Sequence, residues 1–478
     1  MKLLKLLDGV DCKIIGSTLR NVNHLTHIAQ DAKKDSVFFS LKGKLHDGNN
    51  WIDEAINNKC RVIVTESSIA CSKNITQIIV PDARKAISQI AANFFDRPAE
   101  KLKIVGVTGT NGKTTTTTMI AHILKEKHNV AIIGTNGAIY GGKKVDTGFT
   151  TPDPIALQQL FADMVKQKIE YVVMEMSAHA IYLKKLFNIH FEVIAFTNLS
   201  QDHLDYFENM ENYFAAKEQI FKDGQYNAAV VCVDTAYGQR LKEICQKCIT
   251  CSVAESNADI FIKNVAHTTH NQSFDVISNN QSVEFNINLL GKFNLQNAIV
   301  AISVCHKLGY SLEEISTRLI SFVGVAGRFE SYEAKNCSII IDYAHTPDGL
   351  YNLLMTAKDI ASGKLYCVFG CGGNRDRDKR PIMASVAEKF ADYTFVTTDN
   401  PRFEDNYEIA MDIVKGFSKK KWEIILDRGQ AIREAIKRSK KGDIVVIAGK
   451  GAENYIDVLG TKIEYSDTSL VKKIISKI

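Results

Sequence analysis

From residue 103 onward, short runs of β-branched and aliphatic residues alternate with segments whose apolar positions recur at helical spacing. That alternation predicts α/β architecture built on parallel sheets. Residues 1–97 read as a separate mixed α/β domain. Strand-like runs lie at Ser36–Leu41 and Arg61–Thr65, and helices are expected around Trp51–Asn58 and Ala83–Phe95. Arg97-Pro98-Ala99 then looks like an exit and linker. The strand ends carry the chemistry. Ile104–Val107 runs into Thr108–Lys113, Tyr171–Met174 into Glu175, and Val193–Phe196 into Thr197–His203. Further on, Ser338–Ile341 runs into Asp342–His345, Leu365–Phe369 into Gly370–Arg375, Tyr393–Val396 into Thr397–Arg402, and Ile444–Ile447 into Ala448–Gly451. Open α/β sheets bind ligands outside the carboxyl ends of their strands. The set divides around Gly324–Arg328, so three domains are expected: 1–97, 98–325 and 326–478, the last two facing each other across a cleft.

Composition changes this picture little. The 478 residues are 45% hydrophobic and 24% charged, ordinary for a globular chain of several domains. A net charge of +5, from 59 basic and 54 acidic residues, is too balanced to point to nucleic acid. The run Met1–Asp8 is too short and too charged for a signal peptide, and no apolar run is long enough to span a bilayer. A cytoplasmic monomer with neither membrane nor nucleic-acid partners is expected. Eleven cysteines fit that compartment as reduced thiols. Cys245, Cys248 and Cys251 resemble half a metal site, but no matching pair follows them.

The strongest single motif is Thr108-Gly109-Thr110-Asn111-Gly112-Lys113-Thr114-Thr115, which follows a strand and opens a helix. Glycines there let backbone N–H groups turn toward phosphates, and the helix N-terminus favours negative charge. Lys113 would reach the β- and γ-phosphates, and the Thr114 hydroxyl would ligate Mg²⁺. The usual first glycine of a P-loop is replaced by Val107, with Gly106 and Gly109 on either side. A carboxylate at Glu175 and an imidazole at His203 could hold a second divalent cation. Both are therefore candidate catalytic and metal-binding residues, with ATP and Mg²⁺ as cofactors.

These motifs resemble the Mur ligases, and within that family its MurE branch. The resemblance rests on Thr108–Thr115, Met174–His179, Thr197–Asp205, Ala215–Lys217 and Gly291–Asn297, and on Gly327-Arg328, Asp342–Pro347 and Gly370–Pro381. It covers nearly the whole chain from Lys103 onward, in order and in spacing. It implies a UDP-binding N-terminal domain, a central P-loop-type ATPase domain and a Rossmann-like C-terminal domain that holds the incoming amino acid. It also implies a reaction: the γ-phosphoryl of ATP activates the free carboxylate of a UDP-N-acetylmuramoyl dipeptide, and an amine displaces phosphate. By the resemblance, Lys217 is carbamylated and its new carboxylate ligates the second Mg²⁺, which joins it to Thr114, Glu175 and His203 as a candidate metal ligand. From its own surroundings in the sequence Lys217 is one more lysine on an amphipathic helix. The resemblance assigns Asn294, Asn297, Arg328 and Asp342 to the nucleotide, beside Gly109, Thr110, Asn111, Gly112, Lys113, Thr114 and Thr115. It assigns Thr150, Thr151, Ser177 and Lys185 to the UDP-muramoyl dipeptide. Asn374, Arg375, Asp399, Asn400, Pro401, Arg402, Gly449 and Glu453 fall to the added amino acid.

The chain departs from the family pattern at four places. Thr26–Ala29 stands where Asp-Ser-Arg is usual, Lys185 where arginine is common, Ala326 for a proline and Ala452 for a frequent histidine. Asp399-Asn400-Pro401-Arg402 resembles the members that add meso-diaminopimelate. Arg402 would meet its second carboxylate as a bidentate fork, with Glu453 on the distal ammonium. Three other readings compete with this one. The same ligation could use L-lysine, or the chain could be a MurE-like paralogue. Folylpolyglutamate synthetase shares the Thr-Gly-Thr-Asn-Gly-Lys loop, but it continues with Gly-Ser where this chain has Thr114-Thr115. A plain GTPase lacks support, since there is no Asn-Lys-x-Asp guanine motif.

Overall fold

The computed structural model describes residues 1–43, 47–245, 248–268 and 271–476. The chain forms two compact units. One comprises Met1–Thr108, Leu124–Ala195 and Ala216–Ala229; the other comprises Gly109–Ile123, Phe196–Ala215 and Val230–Ile478.

The first unit opens with a five-stranded sheet in the order Lys13–Ile15, Thr76–Ile79, Val62–Thr65, Ser36–Phe39, His24–Thr26. All its neighbours are parallel except Lys13–Ile15. The strands are apolar on both faces because both faces are covered. Val37, Phe39, Val62 and Val64 pack with Ala86, Ile87 and Ile90 of the helix Ala83–Phe94. Phe38 and Ile63, pointing the other way, pack with Ile52 and Ala55. Asp82 caps the helix Ala83–Phe94, accepting from the backbone N–H groups of Arg84 and Lys85 at 3.0 Å each.

In the same unit the strand Lys103–Thr108 pairs in parallel with Tyr171–Glu175, which pairs in parallel with Val130–Gly134. The antiparallel strands Gly137–Tyr140 and Lys143–Val145 follow. Ile104, Val105, Val172 and Val173 are fully buried.

The second unit contains the parallel pair Cys248–Ser252 and Ile260–His267. Gln272–Ser278 and Gln281–Ile287 continue that sheet antiparallel. Parallel pairing is thus present as the periodicity predicts, and antiparallel hairpins extend it. The unit also carries a six-stranded sheet in the order Glu330–Glu333, Cys337–Asp342, Asp443–Ala448, Leu365–Phe369, Tyr393–Val396, Trp422–Ile424. All of its strands but the first run parallel. Apolar clusters cover both faces, one under the helices Pro347–Ile360 and Lys379–Phe390, the other under Arg428–Arg438. This is a doubly wound arrangement, and sheets of this kind bind their ligands at the loops beyond the carboxyl strand ends.

Candidate functional site

In the second unit the loop Gly109–Gly112 leads into the helix Lys113–Leu124. Gly109 and Gly112 have φ of 150° and 85°. A Cβ at Gly109 would run into the Thr197 hydroxyl, and one at Gly112 into the Asn297 amide oxygen. The loop is therefore a tight backbone cradle that only glycine fits. The segment Thr197–Asn198 holds it in shape through backbone and side chains. Thr110 N donates to Asn198 O at 2.9 Å, Asn111 N to Asn198 Oδ1 at 2.9 Å, and the Thr197 hydroxyl to Asn111 O at 2.7 Å. Lys113 Nζ folds back onto the Gly109 and Thr110 carbonyls at 2.9 and 2.8 Å. Thr114 accepts from Arg328 Nη2 at 3.0 Å, and Thr115 is buried behind it.

Arg328 is itself oriented, its guanidinium lying 4.4 Å above the Tyr343 ring. Asp342, at the end of its strand, accepts from Phe329 N and Ala344 N at 2.7 Å each. Burial pushes its carboxyl upward, against the pull of Arg328 and those N–H groups. A cavity of about 240 Å³ opens beside the loop, lined by Asn111, Gly112 and Asn297 together with Thr235, Phe293, Gln296, Asp348 and Asn352. Phe293 and Gln296 belong to the motif Gly291–Asn297, whereas Thr235, Asp348 and Asn352 were not singled out in the sequence. Asn111 Nδ2 donates to Asp348 at 2.9 Å, tying loop and cavity together. Asn294 is buried one turn before Asn297, donating to Leu290 O at 2.8 Å, and it accepts from Asn297 Nδ2 at 3.2 Å.

His203 is not at a strand end. It sits in the left-handed region, φ 56°, before the short helix Leu204–Phe207. Its Nε2 lies 3.3 Å from Asp202, and His345 Nε2 lies 3.7 Å from the same carboxylate. Burial alone would raise Asp202, but His203, His345 and Lys379 hold it well below the usual carboxylate range.

The residues expected to meet the added amino acid converge at another rim of the second unit. Lys450 is fully buried, with Nζ 3.3 Å from Asp399, 3.0 Å from Asn400 Oδ1 and 3.0 Å from Glu453. Asn400 Nδ2 donates to Glu453 at 3.0 Å. Gly449, φ 114°, packs its backbone against Asp399. Arg402 follows Pro401 with φ 52°; its Nη1 donates to Gly373 O at 2.8 Å, and its Nε lies 3.8 Å from Asp457. Arg375 is exposed on the adjoining loop, next to Asn374. The buried Arg428–Asp467 pair, 2.7 Å, is a support that sequence reasoning did not identify, whereas Lys450 lies inside the segment Gly449–Glu453 that the resemblance assigns to the amino acid.

In the first unit Glu175 is 1% exposed, and its carboxylate accepts from Thr135 N at 2.9 Å and from the Thr135 hydroxyl at 3.1 Å. Thr151 donates to Glu175 O at 2.9 Å and accepts from Ser177 N at 3.0 Å, while Thr150 meets Thr135 at 3.2 Å. Glu175, Thr150, Thr151 and Ser177 are thus brought together. Lys185 meets the same segment, 2.6 Å from Asp153 and 4.7 Å from the Phe149 ring centre, the residues on either side of Thr150–Pro152. Lys217 corrects the reading of an ordinary surface lysine: it is 1% exposed on the helix Met210–Asp223. Lysine is almost never so buried without a compensating partner. The Thr26 hydroxyl donates to Ile28 O and accepts from Ile28 N. Among the described residues no helix is long and apolar enough to cross a membrane.

Family comparison agrees with this geometry. The model of the Mur ligase middle domain matches residues 107–305, and that of the Mur ligase, glutamate ligase domain matches 327–451. A UDP-N-acetylmuramoyl-L-alanyl-D-glutamate–2,6-diaminopimelate ligase of Clostridium acetobutylicum is 38% identical, covering 100% of both chains. The Aquifex aeolicus ligase of the same name is 40% identical over 96% of this chain and 94% of its own. A solved structure of a ligase so named superposes with a TM-score of 0.68 at 29% identity, covering 95% of each chain. The chain belongs to the Mur ligase family.

Proposed function

We propose that this chain is an ATP-dependent acid–amino-acid ligase that adds meso-2,6-diaminopimelate to UDP-N-acetylmuramoyl-L-alanyl-D-glutamate, a cytoplasmic step of peptidoglycan precursor synthesis. The observation that carries the reading is the glycine cradle at Gly109–Gly112. It leads into Lys113 and Thr114, and Arg328 donates to the Thr114 hydroxyl at 3.0 Å. Full-length likeness to ligases named for this reaction supports it. In this reading residues 1–97 bind the UDP moiety, 98–325 bind ATP and 326–478 bind the amino acid.

A carboxylate acylates poorly until one oxygen becomes a phosphate leaving group. Transfer between two anions needs positive charge and fixed N–H groups around the moving phosphoryl. Gly109, Thr110, Asn111 and Gly112 would supply the N–H cradle, and Lys113 and Arg328 the charge. Thr115, Asn294 and Asp342 would complete the nucleotide site. By the sequence reading the Thr114 hydroxyl, the Glu175 carboxylate, His203 and a carbamate formed by Lys217 with CO₂ would each offer Mg²⁺ a ligand, and most of these are the oxygen donors that ion prefers. Mg²⁺, when bound, neutralises phosphate charge. Glu175 and Lys217 are each 1% exposed, which suits ligands that would hold a cation away from bulk water. Thr150, Thr151, Ser177 and Lys185 would hold the dipeptide. Arg375, Asp399, Asn400, Pro401, Arg402, Gly449 and Glu453 would hold the amino acid, whose amine displaces phosphate from the activated carboxylate.

Phosphate release from ATP, measured with the UDP-muramoyl dipeptide and a panel of amino acids, tests the proposal. Diaminopimelate is expected to exceed L-lysine in kcat/KM by at least about 100-fold, roughly 2.7 kcal/mol. An arginine left unpaired in a closed pocket penalises lysine. Arg402→Ala should lose most of that preference and keep ATP binding. Equal use of both amino acids by the unaltered enzyme overturns the assignment.

A further inference from the structure

One buried cation beside the amino-acid site is used by none of these roles. Arg380, on the helix Lys379–Phe390, is 0% exposed. Its Nη1 donates to Asp412 at 3.0 Å, and its Nη2 to Glu404 at 3.0 Å and to Gly372 O at 3.3 Å. Glu404 in turn accepts from the backbone N–H of Asn374. Asn374 has φ 51°, and its side-chain oxygen accepts from Phe403 N at 3.0 Å. Gly373 N donates to Asn400 O at 2.9 Å, while Gly373 O receives Arg402 Nη1 at 2.8 Å. The segment Gly372–Asn374 is therefore laced to Asn400–Glu404, and one guanidinium grips both strips of chain. Asp412 anchors that guanidinium from behind, where it also accepts from Arg377 at 2.9 Å and Lys415 at 2.7 Å.

We propose that Arg380, acting through Glu404, is the positioning residue of the amino-acid site, fixing the loop that aims Arg402 and Arg375 at the substrate's distal carboxylate. The proposal rests on the diaminopimelate reading for the identity of that ligand. The chemistry favours arginine here. A planar fork reaches Asp412 from Nη1 while Nη2 reaches Glu404 and Gly372 O, so its acceptors can stand farther apart than those around the single nitrogen of an ammonium. Both groups that meet Glu404 are donors, Arg380 Nη2 and Asn374 N, so an ionised carboxylate suits both. A glutamine would turn its own N–H₂ against one of them.

The test uses the full-length enzyme with Glu404→Gln, Arg380→Lys, and amide hydrogen exchange across 370–376 and 400–405. Glu404→Gln should raise KM for diaminopimelate about 10-fold, with KM for ATP within about twofold, and should narrow the preference over lysine. Exchange at the Asn374 amide should accelerate in the free variant. Arg380→Lys should act in the same direction. Should it fail to fold, Glu404→Gln carries the test, because Glu404 lies nearer the surface. Equal rises in both KM values, or an unchanged diaminopimelate KM with unchanged exchange, would overturn the proposal. If the unaltered enzyme used some other amino acid, the diaminopimelate reading would fall, and exchange at Asn374 would still decide whether Glu404 holds the loop.

Discussion

Lys450 offers the sharpest test of how the amino-acid site is held together. Replacing it with methionine keeps the volume and removes the charge. The change leaves Asp399, 6% exposed, without its nearest cation, and Glu453 without its ion pair. Breaking a buried pair by removing one partner costs about 3–5 kcal/mol. Arg428 still pulls on Asp399, so the lower end, about 3 kcal/mol, is expected. The dependence on pH fixes the mechanism. In the unaltered protein burial pushes Asp399 up, yet Lys450 and Arg428 outweigh it and its pKa is lowered. A lowered carboxyl contributes stability that is present above its unfolded pKa, about 3.9, and lost as pH falls through the folded value. In Lys450→Met burial should win and the sign reverses. The native state then binds more protons than the unfolded state, and stability falls as pH rises across the interval between the two pKa values. The deficit should therefore be larger near pH 7.5 than near pH 5. Urea midpoints at the two pH values, read with constant m, measure this. Adding Asp399→Asn removes the stranded charge and should recover at least about 1 kcal/mol of the loss. Additive losses, or a deficit indifferent to pH, would refute the account.

Three other expectations follow from the same geometry. Lys113→Ala should leave the fold intact and reduce ligation to less than about a tenth, a loss exceeding ~1.4 kcal/mol; a folded variant retaining more activity would remove the lysine from phosphoryl transfer. Lys217→Ala should be nearly inactive in phosphate release, and short carboxylic acids should partly restore it by replacing the lost carboxylate; absence of any added mass on Lys217 in the native protein loaded with ATP and Mg²⁺ would count against the carbamate. Gly134→Ala would push a methyl group into the Glu175 carboxylate. The Mg²⁺ concentration for half-maximal rate should rise about 10-fold, roughly 1.4 kcal/mol, and an unchanged Mg²⁺ titration would remove Glu175 from the metal site.

Much of the fold was legible because apolar runs and their polar terminations are local features. Each of the seven strand runs whose ends carried polar chemistry is a strand in the structure, including Tyr171–Glu175 and Asp443–Ala448. The antiparallel extension was not read, although it left a trace. Gln272–Ser278 alternates buried and half-buried positions with period two. It is followed by Asn279 and Asn280, both at positive φ, 49° and 65°, the signature of a two-residue hairpin turn. His203 was read as a strand-end ligand, yet its backbone turns left-handed before a short helix. A strand's end can be read from composition, but the path of the loop beyond it depends on tertiary contacts.

The same division runs through the site. Residues expected to touch ligand announce themselves, because glycines, a Lys-Thr pair or Asp-Asn-Pro-Arg must sit close together in sequence to act together. Residues that hold them in place do not. Lys450 meets Asp399 across 51 positions and Arg428 meets Asp467 across 39. Arg380 reaches Asp412 and Glu404 across 32 and 24. Spacing in the sequence cannot encode such pairs. Nor does stability alone account for them, since a buried ion pair often does no better than well-packed apolar groups of the same volume. Three buried cations gathered around one rim therefore argue for geometry over strength. A planar substrate carboxylate is recognised only by a fork held within about half an ångström of its productive position. Arg402 stands on a loop at φ 52°, a conformation that non-glycine residues rarely adopt unless their surroundings enforce it. By the positioning proposal Arg380 contributes to that enforcement, gripping Gly372 and Glu404 on either side of the Arg402–Gly373 hydrogen bond, so the charge a substrate would meet at the surface would be aimed in part by a buried one.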